Sequence, residues 1–186
     1  SVYMRHDIMP DFFFFCFLII FAVIGAMRGW AKEMLVTFSA VLALFIITVL
    51  ETYVAPVSQS FALPGSAAQF WMRLVILIML AFFGYQTPNL PKLSGSGKWA
   101  RERLQDTLLG VFLGVLNGYL IVGTLWYFIA QAGYQPISYI VAPDPNNPVG
   151  QAAIRMLTWM APAWLVTPYI YFAVGLAFIF VIVVFL

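Results

Sequence analysis

Apolar runs of membrane-crossing length recur along the chain, separated by short polar breaks. The run that organises the rest is 106–127, DTLLGVFLGVLNGYLIVGTLWY, which carries no charge after Asp106. Its glycines Gly110, Gly114 and Gly118 recur every fourth residue, about 400° of helical rotation, so they share one slowly drifting face. A face without side chains lets another helix backbone come close. In lipid no hydrophobic force drives helices together, so such close approach is a main source of association. The pattern predicts a glycine-zipper helix at the packing centre of the molecule.

The remaining runs fall around it in order. Residues 12–27 form a first apolar run, ended by Arg28-Gly29-Trp30-Ala31-Lys32-Glu33. That break is too short for a domain and predicts a tight hairpin into a second span, 34–54. Residues 55–68 hold two prolines, a glycine and no Lys or Arg, and read as a loop; the third span is 69–85. Residues 86–105 are the most polar stretch, with two prolines and a flexible SGSG joint. Lys98, Arg101 and Arg103 then lead into the central helix. The Lys98–Glu102 pair at i,i+4 predicts that this helix begins before it enters the membrane.

Beyond residue 127, PDPNNP at 143–148 is irregular. Residues 151–161 place Gln151, Arg155 and Thr158 on one helical face and Ile154, Leu157 and Ala161 on another, an amphipathic helix suited to the interface. Residues 162–168 lie between prolines and read either as a turn or as a shallow re-entrant piece. The last apolar run, 169–186, is at the short limit for spanning. The fold class is therefore all-α: a polytopic helical membrane protein with four to five transmembrane helices plus an interfacial amphipathic helix. Residues 1–131 form a four-helix core of two hairpins. Residues 132–186 form an outer proline-rich loop, the interfacial helix and a fifth apolar helix.

Composition agrees with that pattern. Of the 186 residues 63% are hydrophobic and 9% charged, and mean hydropathy is +0.96. A soluble domain carries roughly 25% charged residues, so this chain could not cover a water-facing surface. Long apolar runs without alternation imply helices and not a barrel. A dispersed net charge of +2 makes nucleic acid an unsuitable partner. Basic residues concentrate in two connections, Arg28 and Lys32 in one and Lys92, Lys98, Arg101 and Arg103 in the other. With alternating spans both lie on the same side, opposite Arg5, Arg73 and Arg155. The positive-inside rule then places both basic connections in the cytoplasm and the N-terminus outside.

Candidate chemistry is sparse. With one cysteine, Cys16, and one histidine, His6, the chain alone builds no intrachain disulfide, multi-histidine metal site or bis-histidine haem. No nucleophile–base constellation is present. The expectation is a protein that is not an enzyme and holds no cofactor. Asn117, beside the glycine face, is the best mid-membrane polar residue. A hydrogen bond from it across helices contributes roughly 0.6–2 kcal/mol. Gly25 and Gly29 form the natural partner surface for Gly110, Gly114 and Gly118. Arg28, Lys32 and Glu33 read as a charged turn at the lipid headgroups, with a local ion pair or an anionic lipid or partner as its mate. Lys98, Arg101 and Arg103 admit the same readings. Asp11, Glu51, Arg73 and Asp106 fall near span ends, and no ionisable residue is expected in mid-span. Glu51 and Arg73 flank one outer loop, positioned to pair, and Asp106 fits a helix N-terminus.

The pattern Gly25-x2-Arg28-Gly29-x2-Lys32-Glu33, entering a span with Ser39, and Asp106-x3-Gly110-x3-Gly114-x3-Gly118 resembles the colicin V production protein family of bacterial inner-membrane proteins, over about residues 7–130. The resemblance implies about four spans, a bacterial inner-membrane location and a link to colicin V export, without an established chemical activity. Residues 131–186 go beyond the basic family unit. The expected role is a non-catalytic structural or accessory subunit that packs against other integral membrane subunits and lipids in a larger, energy-converting or similar, complex. The alternative is a component of a transporter or channel for a small solute or peptide, with a polar path past Asn117 and Thr124.

Overall fold

The computed structural model describes residues 10–86, 100–137 and 139–185. Near-continuous apolar sequence forms α1 (Pro10–Arg28), which stops at Gly29. The φ of +83° at Gly29 is a backbone conformation that glycine adopts at little cost. Helix α2 (Trp30–Tyr53) follows at once. The break expected over 28–33 is thus a single residue, and Lys32 and Glu33 belong to the first turn of α2.

A short α3 (Ala55–Ser60) sits in the following loop. Helix α4 (Ala67–Tyr85) starts at Ser66, whose hydroxyl accepts the Gln69 amide at 3.1 Å as an N-cap. Helix α5 (Ala100–Gly118) runs into a π-helical segment, Tyr119–Gly123, and on into α6 (Thr124–Gln131). Helix α7 (Pro148–Leu157) begins three residues before the expected amphipathic helix and ends four residues before its expected end. Asn147 caps it, accepting from Val149 N at 3.1 Å, and Pro148 suits its first position. A single turn, α8 (Ala161–Trp164), precedes the apolar α9 (Tyr169–Phe185). Among the described residues all regular structure is helical. Four segments are long and apolar enough to cross a membrane: Asp11–Arg28, Trp30–Tyr53, Ala67–Tyr85 and Arg101–Gln131. Helix α9 is apolar but shorter.

Helices consecutive in sequence are not the closest partners. Helix α1 lies along α5, antiparallel to it: Gly25 meets Gly110, Phe21 meets Gly114 and Leu18 meets Gly118. Helix α2 packs on α4 and α5, and α9 lies on α2. A one-residue link leaves α1 and α2 little mutual surface, whereas small residues on α1 and α5 permit deep contact. The core joins Leu44 and Ile47 of α2, Phe70 and Leu77 of α4, and Leu120, Phe128 and Ile129 of the long helix. Ala161, Leu165 and Ile170 complete it, so the chain after α7 folds back into the bundle. Met160 faces Gly123, eight residues or about 12 Å below the end of α6. Within 162–168 the structure has a single helical turn and the buried Leu165, with the remaining side chains half-buried or exposed.

Candidate functional site

The glycines of α1 and α5 meet backbone to backbone. A Cβ added to Gly25 would fall on the Gly110 carbonyl oxygen and lie 2.9 Å from Gly114 Cα. One added to Gly114 would fall on the Phe21 carbonyl oxygen, 3.1 Å from Ala22 Cα. Gly110 in turn faces the Gly25 carbonyl. Backbone atoms cannot swing aside, so these three positions admit no side chain without separating the helices. At Gly118 the neighbours are side chains of Phe21 and Leu18, 3.0–3.1 Å from an added Cβ, and the fit is looser. The seam is filled by this chain's own α1.

At the end of the seam Asp106 reaches across to α2. Its Oδ1 accepts the Trp30 backbone N–H at 3.1 Å. Trp30 is the first residue of α2, whose opening N–H groups have no partner within the helix. Asp106 therefore complements the N-terminus of α2 and not that of its own helix, in which it sits six residues past the start. Gly29 makes the approach possible: a Cβ there would lie 2.8 Å from the same oxygen.

One turn further along α2 lies a buried ionic node. Glu33 is 0% exposed. Its Oε1 accepts from Arg28 Nε at 2.7 Å and its Oε2 from Asn117 Nδ2 at 2.7 Å. The same amide nitrogen of Asn117 reaches the Glu33 main-chain oxygen at 3.0 Å. The Thr37 hydroxyl lies 2.7 Å from Asn117 Oδ1 and 3.2 Å from the Glu33 carbonyl, and donates to these acceptors. This fixes which way the Asn117 amide points. Arg28 Nη1 donates to the Tyr85 carbonyl at 3.1 Å, with the guanidinium 4.6 Å from the centre of the Tyr85 ring. Arg28, Glu33 with Thr37, Tyr85 and Asn117 thus join α1, α2, α4 and α5. Arg28 Nη2 and Tyr85 Oη are buried and carry no hydrogen bond.

The Arg28–Glu33 contact is the local ion pair expected of this turn, but Glu33 is enclosed by protein and does not face headgroups. The carboxylate is fully buried although it lies in the first turn of α2, near the end of the span. The signal for it is present in the sequence: Glu33, Thr37, Ala40, Leu44 and Ile47 fall on one face, the buried face of α2. Lys32 is half-exposed, and Arg101 and Arg103 are exposed at the same end. Lys98, Lys92, Arg5 and His6 lie outside the described residues. At the opposite pole Glu51 accepts from Arg73 Nε and Nη2 at 2.6 and 2.7 Å, and Arg73 lies 5.1 Å over Phe128. That pairing is the one their placement around the outer loop implies. Asn117 and Thr124 are both 0% exposed, so neither borders a space the size of a water molecule.

A family model described as Colicin V production protein matches residues 10–142. Neither the curated proteins nor the solved structures contain a match. The matched stretch takes in α1 to α6, and with them the whole glycine seam, the Asp106 cap and the ionic node. Covering more than two thirds of the 186 residues, it shows that the chain belongs to the colicin V production protein family.

Proposed function

We propose that this protein is a non-catalytic structural subunit of the bacterial inner membrane, a rigid frame on which helices of a larger assembly are held. The ionic node carries this reading: Arg28, Glu33 and Asn117, with the Tyr85 carbonyl, tie four helices to one another. Because the seam is occupied internally, partner helices meet the outward faces, such as Trp71, Val75, Ile78 and Phe82 of α4. The end bearing Lys32, Arg101 and Arg103 is cytoplasmic and the N-terminus is outside, in keeping with the positive-inside rule. The test is purification from native membranes in mild detergent, with mass spectrometry of co-migrating proteins. A stoichiometric set of membrane partners supports the reading; a lone monomer or homo-oligomer overturns it.

A second reading, a transporter or channel component, draws on the π-helical segment Tyr119–Gly123 and the buried Thr124 hydroxyl, which lacks a hydrogen-bond partner. Such segments inside long helices recur at functional sites. Solute flux into liposomes, abolished by Thr124→Val, is the observation that this reading requires.

A further inference from the structure

We propose that the groove between α2, α4 and α9 holds an acyl chain of an anionic phospholipid whose phosphate is bound by Lys32. The groove has a volume of about 320 Å³ and is walled by Leu35, Phe38, Leu42, Phe83, Ala177 and Phe178. It is closed behind by the contact of Gly84 with Ser39, where an added Cβ would lie 2.7 Å from the serine hydroxyl. Along α2 it extends from Leu35 to Leu42 and along α9 from Val181 to Val174, about 10 Å on each helix. Its surface is almost wholly apolar, as an acyl chain requires.

Its polarity has a direction. Leu35, Gly84 and Val181 mark one end, near the start of α2 and the last turns of α4 and α9. Lys32, Leu35, Ser39 and Leu42 follow the i, i+3, i+7, i+10 pattern of one helical face. The half-exposed Lys32 therefore stands one turn beyond the groove's end, on the face that lines it. Among the described residues it has no ion-pair partner: Glu33, next in sequence, is spent on Arg28 and Asn117. The positive end of the α2 dipole lies at the same place. An apolar slot that ends at an unpaired cation matches a negatively charged lipid better than a zwitterionic one or an uncharged partner helix.

The test is native mass spectrometry of the full chain, delipidated and then mixed with phosphatidylglycerol or with phosphatidylcholine of the same chains. The wild type should retain about one phosphatidylglycerol and less phosphatidylcholine. Lys32→Ala should lower phosphatidylglycerol retention roughly five-fold, the effect of one basic side chain near a membrane surface, and Lys32→Arg should restore it. Ala177→Phe, or Leu42→Trp should the first not fold, fills the slot and should lower retention of both lipids. Equal retention by wild type and Lys32→Ala overturns the proposal. So does retention unaffected by filling the slot, or a second helix cross-linking to Leu42→Cys in place of lipid.

Discussion

Removing Arg28 alone from the ionic node should cost far more than removing Arg28 and Glu33 together. Arg28→Met leaves the Glu33 carboxylate, 0% exposed, with Asn117 as its remaining side-chain partner. Breaking a buried pair in this way costs about 3–5 kcal/mol, because the surviving charge stays desolvated. The reverse deletion is milder. The Arg28 side chain is 23% exposed and keeps its bond to the Tyr85 carbonyl, so Glu33→Leu should cost only about 1–2 kcal/mol. In Arg28→Met/Glu33→Leu neither charge remains, and Asn117 keeps its bond to the main-chain oxygen of residue 33. The double variant should return to within about 1 kcal/mol of the wild type, since apolar replacement of a buried pair is often neutral. Unfolding by SDS in bicelles, followed by tryptophan fluorescence, reads all three. Equal losses for the two single variants, or a double variant as unstable as Arg28→Met, would refute the enclosed, paired geometry.

Asp106→Ala removes the acceptor for Trp30 N–H and should lower stability by about 0.5–2 kcal/mol, with Asp106→Asn closer to wild type in a thermal melt. Met160 is 2% exposed and fills the space at Gly123. Met160→Ala should cost about 2–5 kcal/mol and hasten proteolysis within 135–159 before the transmembrane helices are affected. Burial raises the Tyr134 phenol above its ordinary value of 10, partly offset by the bond it accepts from Trp126 Nε1. A raised folded-state pKa means that this contribution is intact below pH 10 and is lost as the pH climbs through the folded value. Alkaline titration should therefore change Trp126 emission above pH 10, and Tyr134→Phe should remove that change.

The spans, the seam glycines and Asn117 were readable from hydrophobic runs and four-residue spacing, because each is a local property of one helix. The α1–α5 contact was readable as well: Gly25 and Gly29 offered the matching small surface, and Gly25 meets Gly110 some 85 residues away. The packing of α2 on α4 and α9 was not, because chain order suggests hairpins and no comparable small-residue pattern marks those faces. Lys32-Glu33 reads as a turn because two charges interrupt an apolar run. Partners on α1 and α5, Arg28 and Asn117, let Glu33 enter the bundle in helical conformation. The burial of Met160 and Leu165 was not readable for a similar reason: the prolines around them leave a turn and a re-entrant piece equally open, and the pockets that receive these side chains are formed by distant helices.

The central claim is that α1 and α5 cross with backbones in contact at Gly25, Gly110 and Gly114. Glycine to alanine in a helix ordinarily stabilises by roughly 0.5–1 kcal/mol. An added Cβ at Gly175 of α9 meets nothing within 4 Å, whereas one at Gly114 meets the backbone of Phe21 and Ala22. The decisive measurement is therefore the melting temperature of Gly114→Ala beside that of Gly175→Ala in the same detergent. A fall for Gly114→Ala with no change or a rise for Gly175→Ala is the predicted result. Two variants that melt together at or above the wild type would contradict the crossing.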